Sequence, residues 1–234
     1  MSVAYDAFLQ DILPFARNCP DPVIENAIRG ATIEFCEKTE IWQVELDPVS
    51  AVAGQYAYDL EAPLGSAVRR ILTITDEQGY SLEPVTSGLL DQRNPDWRVT
   101  PSRPQFYIKR DEELQIWLAP PPANSRTNAY LIRAILVPTI SSSSCSNVVM
   151  NNFRDTIVNG AIARLLSMPD KDWSNFKTAA VHFGLFRDQL VEAEKYARQA
   201  NEGVAPRVRY GGITARYRGK DDYGQRRTRS WRYR

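Results

Sequence analysis

"QFYIKRDEELQIWLAPPPANSRTNAYLIRAILVP", residues 105–138, is the stretch whose reading decides the fold. Its runs QFYIKRD, ELQIWLAP and YLIRAILVP are rich in β-branched and aromatic residues, which suit a pleated, half-buried surface. Leu114, Ile116 and Leu118 alternate with Gln115 and Trp117, the period-2 spacing of a strand with one covered face. Prolines stand at the ends of these runs, where a missing N–H does not break a ladder. Upstream, VRRILTITD (68–76) has the same character, and DEQG (76–79) separates ILTIT from YSLEPV as a hairpin turn in which Gly79 takes positive φ. The strand period holds from Trp42 to about Val149. It predicts an antiparallel sandwich or barrel of roughly six to eight strands. Arg93–Pro104 reads as a long loop, and SSSSCSN (141–147) as a polar connector.

On either side the period lengthens. Asp21 reads as an N-cap with Pro22 at the first helical position, where its missing N–H costs nothing. Ile24, Ile28, Ala31 and Phe35 then recur at steps of three and four, and Glu34 is spaced to pair with Lys38. Ahead of it, AYDAFLQDILPFA (4–16) reads as a shorter helix bent or ended near Pro14. Beyond the strands, Asn151 or Asn152 caps a helix carrying Phe153, Ile157, Ala161 and Leu165, which stops before Pro169. Ser174 caps another, with Ala179, Phe183, Phe186, Leu190, Ala193 and Ala197 as its apolar stripe. A helix with one apolar face must find others to cover it. The expected fold is therefore α+β: a discontinuous helical bundle (1–41 and 150–202) interrupted by an antiparallel β insertion (42–149), followed by an extended C-terminal arm (203–234). There is no internal repeat.

At 234 residues the chain is long enough to bury a core. Its net charge of +1 conceals an asymmetry. From Gly203 onward ten Arg and Lys face two Asp, a net of +8, while residues 1–202 carry 19 basic and 26 acidic side chains, a net of −7. Opposite charges on body and arm attract copies of the chain to one another, or the arm to a related acidic surface. No run approaches the roughly 18 apolar residues of a membrane span, and MSVAYDAFLQ lacks the basic flank and apolar core of a secretory signal, so no membrane partner is expected. Cys19, Cys36 and Cys145 match no zinc or disulfide framework and read as reduced thiols used for packing.

The sequence offers little to a catalyst. His182, on the flank of the last helix, is the one histidine, which leaves no zinc ligand set; no metal and no cofactor is expected. Neither a phosphate-cradling G-x-x-x-x-G-K-[ST] nor a G-x-S-x-G elbow occurs. Asp111-Glu112-Glu113 falls in a turn between strands and Asp221-Asp222 in the arm. No catalytic residue is assigned, and the chain is not expected to be an enzyme.

The arm, RYGGITARYRGKDDYGQRRTRSWRYR (209–234), admits two readings. Its arginines fork onto phosphates and Tyr210, Tyr217, Tyr223, Trp231 and Tyr233 stack on bases, as in a nucleic-acid-binding protein. Arg with Tyr and Trp is equally the composition of protein–protein hot spots, and an acidic body repels a phosphate backbone.

The region Pro101–Pro138 carries a resemblance. PSRPQFYI, then LQIWLAPPP, then YLIRAILVP is similar to the recurring pattern of the head-to-tail adaptor (connector) proteins of short-tailed bacteriophages: a proline shortly before a Tyr/Phe strand, an apolar strand running into P-x-P, and an aromatic-led strand ending at proline. The order of helices, β insertion, helices and extension fits as well. The resemblance implies a structural virion protein, made in the host cytoplasm and placed at the head-tail junction as a dodecameric ring between the portal protein and the tail nozzle protein. Genomic DNA would pass through its lumen without sequence-specific binding. The arm is then expected to be a strap docking on the portal or a neighbouring subunit through Arg207, Arg209, Tyr210, Arg216, Tyr217, Arg218, Arg226, Arg227, Arg229, Trp231, Arg232, Tyr233 and Arg234. Under it, Trp97 in the Arg93–Pro104 loop reads equally as a contact to neighbours or nozzle and as a buried core residue. The rival classes are a nucleic-acid-binding protein built on the arm and a wall hydrolase needing a carboxylate pair.

Overall fold

Strand β1 (Ser2–Ala4) leads through a 3-10 turn (Tyr5–Phe8) into the one-turn helix α1 (Leu9–Ile12), which ends ahead of Pro14 as expected. The computed structural model describes residues 2–111 and 113–202, with the side chains of 200–202 excepted. Helix α2 (Asp21–Thr39) follows. Its N-cap is Pro20, one residue before the predicted Asp21, and no side chain caps it. Asp21 serves instead as a first-turn carboxylate, favoured by the positive end of the helix. Ile24, Ile28, Ala31 and Phe35 are all buried. Glu34 pairs with Arg164 at 2.5 Å rather than with Lys38, because the packed bundle offers a guanidinium that the isolated helix lacks.

Among the described residues the β region has eight strands in two four-stranded sheets. They are β2 (Gln43–Glu45), β3 (Val49–Ala51), β4 (Ala57–Asp59), β5 (Ser66–Asp76), β6 (Glu83–Pro84), β7 (Phe106–Arg110), β8 (Gln115–Ala119) and β9 (Arg126–Pro138). Helix α3 (Ser87–Arg93) and a 3-10 turn (Pro95–Arg98) lie between β6 and β7, the turn within the Arg93–Pro104 stretch expected to be a loop. In the first sheet β9 is the spine: β5 pairs along one edge, β2 and β3 in succession along the other. The second sheet runs β4-β8-β7-β6, antiparallel except for the short β6–β7 pair. Tyr130, Ile132, Ala134 and Leu136 of β9 meet Tyr107, Ile116 and Leu118 of the other sheet in one apolar cluster, a sandwich and not a closed barrel. The hairpin at 76–79 forms as predicted, with Gly79 at φ 83°. Leu114 does not belong to its strand. It sits in the β7–β8 turn at φ 51° and is exposed, while Ile116 and Leu118 are fully buried.

The burial of β9 records what covers it. Leu131 and Arg133 face solvent, but from Ile135 onward both faces are buried, because α2 packs across the outer side of the sheet. Val137 accordingly packs into the helical cluster, and Trp42 touches both that cluster and the sandwich.

The serine run is not a plain connector. Strand β10 (Ser144–Ser146) within it pairs with β1, so chain start and β exit are stitched together. Helices α4 (Asn147–Asn152), α5 (Arg154–Leu166) and α6 (Phe176–Glu202) follow. Asn151 and Asn152 lie inside α4, and the break at Phe153 that separates α4 from α5 has no side-chain cap. At α6 the cap is Asn175, whose Oδ1 accepts the Thr178 N–H at 3.1 Å. Ser174 instead accepts the Lys171 N–H and donates to the Met168 carbonyl, closing the preceding loop. Through Ala197 the chain is one compact unit.

Ser142 locks the junction of the helices with the sheet. Its Oγ lies 3.0 Å from the Tyr5 hydroxyl and its carbonyl accepts the Arg29 Nε–H at 2.7 Å. Burial pushes the phenols of Tyr5 and of Tyr130 up to about 12. An unfolded chain releases these protons near pH 10. The neutral phenol is thus favoured by the fold, and stability should be level below pH 10 and fall as pH rises from 10 to 12. At about 1.4 kcal/mol per pKa unit, each phenol costs the fold on the order of 2 kcal/mol by pH 12. Urea midpoints measured across that range should drop, and less steeply in Tyr130→Phe; a wild-type midpoint flat to pH 12 contradicts this.

Candidate functional site

The reactive groups singled out from the sequence are placed by the fold as packing elements. Cys19, Cys36 and Cys145 are free and buried. A hydrogen bond with Cys145, together with burial, holds the Cys36 thiol well above the usual range, the opposite of an activated nucleophile. His182 bridges α5 and α6: its Nδ1 is 2.9 Å from Asn159 Oδ1, and Phe15 stands edge-on against its ring. Burial lowers its pKa, favouring the neutral imidazole. Asp111 and Glu113 lie in the β7–β8 turn and pair with Lys109 and Arg110. Among the described residues no three His, Cys, Asp or Glu side chains come together as a metal site.

Two clefts open on the sandwich. One, of about 160 Å³, lies where the 76–79 hairpin meets the segments around Arg103 and Arg126. Its carboxylates are engaged: Asp76 by Arg103, which also lies over the Tyr80 ring, and Glu77 by Arg126. Burial works to raise the Asp76 carboxyl, but the Tyr80 N–H, the Arg103 guanidinium and the Gln78 N–H outweigh it and keep the group below the usual carboxylate range. This network ties loops together. The other cleft, of about 280 Å³, has an apolar floor of Leu46, Tyr58 and Ile132 and a rim of Asp47, Asp59 and Glu61. None of these three carboxylates has an ion-pair partner among the described residues, and Asp59 Oδ1 accepts the Gln115 side-chain N–H at 3.0 Å.

The largest departure from an ordinary soluble surface is on α6. Its inner face is buried through Ala179, Phe186, Ala193 and Ala197. The rest of its surface carries Phe176, Val181, Phe183, Leu185, Val191 and Tyr196, each at least 45% exposed. Phe183, expected in the buried stripe, lies at its outer edge at 49%. These exposed side chains are spread around the outer circumference of the helix, and Tyr196 stands edge-on to Phe153. Sequence periodicity foretold the inner stripe but not these exposed residues, since valines and leucines beyond the stripe look like ordinary helix filling. α6 is also the element that delivers the chain to the arm. All thirteen predicted arm contacts, from Arg207 to Arg234, lie outside the described residues, as do Asp221 and Asp222.

Trp97, which the sequence left equally a contact or a core residue, resolves to the second. Trp97 is 1% exposed, so the Arg93–Pro104 segment holds a core anchor instead of offering it to a partner. Its ring packs with Leu90, Ile108 and Ala119 on the outer face of the second sheet.

A family model described as SU10 adaptor protein matches residues 3–210. That span takes in the described elements from the second residue of β1 onward and the first residues of the basic arm. No curated protein matches the chain.

Proposed function

The chain belongs to the SU10 adaptor protein family, and from that premise we propose that it forms a ring between the portal and the tail nozzle, with arm 203–234 docking on the portal or on a neighbouring subunit. Family membership makes it a structural adaptor of a phage virion, working at the junction of head and tail. The ring, dodecameric in this reading, encloses a lumen through which genomic DNA passes. The helical part (1–41 and 150–202) takes the portal side together with the arm, and the β insertion (42–149) takes the nozzle side.

The observation that carries this reading is the family match over 3–210. Charge supports the strap: the arm holds a net +8 against −7 on the rest, and the body carries exposed carboxylates such as Asp47 that have no ion-pair partner among the described residues. Fully extended, its 32 residues reach on the order of 100 Å, far enough to cross a subunit. Ordering such a segment costs conformational entropy, which arginine–carboxylate pairs and buried tyrosines offset. An acidic wall is also one along which DNA slides without sticking.

The test is genetic. Cells in which the phage directs every component except this chain should yield heads that carry portal but no tail. Tailed, infectious particles from such cells would overturn the proposal.

A further inference from the structure

Deepening the ring reading, on which it rests, we propose that neighbouring copies join through a heterologous contact in which an apolar knob, Leu64 with Ile140, seats in a groove between α5 and α6 of the next copy. The knob is built from two tight turns. In the first, the Ser66 N–H and Oγ both bond the Pro63 carbonyl, with Gly65 at φ 78°. In the second, the Ser142 N–H and Oγ both bond the Thr139 carbonyl. The Thr139 N–H donates to the Gly65 carbonyl at 3.0 Å and fastens the turns side by side. Each turn thrusts one large aliphatic side chain outward: Leu64 is fully exposed and Ile140 is 85% exposed. Solvation of a soluble fold gives no reason for two such residues on adjoining rigid turns, and Ser142 anchors the pair to the helices through Tyr5 and Arg29.

The groove has the complementary character. Gly160 and Ala163 of α5 form a shallow floor, Phe183 and Phe186 of α6 a wall, and the Glu34–Arg164 pair a polar rim, around a space of about 400 Å³. Gly160, Ala163 and Phe186 are themselves buried, so the apolar surface that the groove offers is the half-exposed Phe183 ring. Knob and groove cannot fill one another within a chain. Arg29 reaches the knob turn through Ser142, while Gly30 and Glu34 face Arg164 at the groove, and neighbouring residues on a helix point about 100° apart. They therefore lie on different sides of α2. A surface and its complement on different sides of one molecule define a head-to-tail contact, which closes into a ring. Charge adds to the fit. Glu61, three residues before Leu64, and Arg187, whose guanidinium lies over the Phe183 ring, each have no ion-pair partner among the described residues.

Cysteine cross-linking on the assembled portal complex tests this, and the three native thiols are buried and do not interfere. Leu64→Cys combined with Phe183→Cys in one chain should give a ladder of oligomers under mild oxidation. The two single variants mixed should give a single cross-linked dimer, and each alone should give none. Leu64→Asp with Ile140→Asp should leave the melting temperature of the chain unchanged and weaken assembly at least about tenfold. Homodimers from either single variant, or a complex of ring mass whose double variant does not cross-link, would overturn the contact while leaving the adaptor reading in place. Failure of the unmodified chain to enter any ring would instead defeat the ring reading and this inference with it.

Discussion

Replacing Trp97 with alanine should lower the stability of the chain by about 3–5 kcal/mol, the range for removing a buried aromatic and leaving a cavity. The ring is fully enclosed, stands edge-on to Tyr56 at 6.0 Å between centroids, and carries Arg98 over its face at 4.4 Å. Its Nε1–H donates to Asp91 Oδ1 at 2.9 Å, so the side chain ties α3 to the 3-10 turn that follows while both cover the second sheet. A domain has about 5–15 kcal/mol in all, so the loss should be visible as a large fall in the urea midpoint. Trp97→Phe keeps most of the packing and forfeits the hydrogen bond, and should cost less. A Trp97→Ala chain of wild-type stability that no longer assembles would instead make Trp97 a partner contact.

The second large effect is expected at Gly160. A Cβ there would stand 2.8 Å from the Phe186 ring and 3.0 Å from the Ala31 Cβ, both on buried neighbours with nowhere to go. Gly160 is thus what lets α5 approach α2 and α6 so closely. Valine at this position gains helix propensity but forces the helices apart, and the clash wins: about 3 kcal/mol of destabilisation, the upper end for overpacking. Alanine sets about 1 kcal/mol of propensity against a smaller clash and should still destabilise. Gly184 provides the contrast. Nothing lies within 4 Å of a Cβ there, so Gly184→Ala should stabilise by about 1 kcal/mol. Thermal melts of the variants check the sign at each position; a stabilising Gly160→Val would mean that the α5–α6 packing is looser than described.

What the sequence made legible follows the range of the interactions involved. α2 and the inner stripe of α6 announce themselves because helix burial repeats every three or four residues, and the 76–79 hairpin because its turn chemistry is local. The β1–β10 pair was not legible: its partners are 140 to 144 positions apart, and a serine run shows no strand period. Nor was the covering of Ile135 by α2, which turns an alternating strand into one buried on both faces. Helix starts at 21 and 174 were misplaced by one residue because Asp21 and Ser174 are good caps in isolation, and the fold used Pro20 and Asn175. Trp97 could be read as contact or core until α3 was seen to close over it. The surface fared worst. Leu64 and Ile140 are single apolar residues in separate turns, and only the Thr139–Gly65 hydrogen bond makes them one feature.

The central claim is that this adaptor joins the portal as a ring and that its basic arm fastens it there. The most direct measurement is the light-scattering mass of the portal protein of the same particle after mixing with the full-length chain, and with a chain ending at Pro206. The account predicts that the full-length chain adds a ring of copies to the portal and that the shortened chain, though folded, adds none. A portal mass left unchanged by the full-length chain would contradict the ring, and equal uptake of the two chains would contradict the strap.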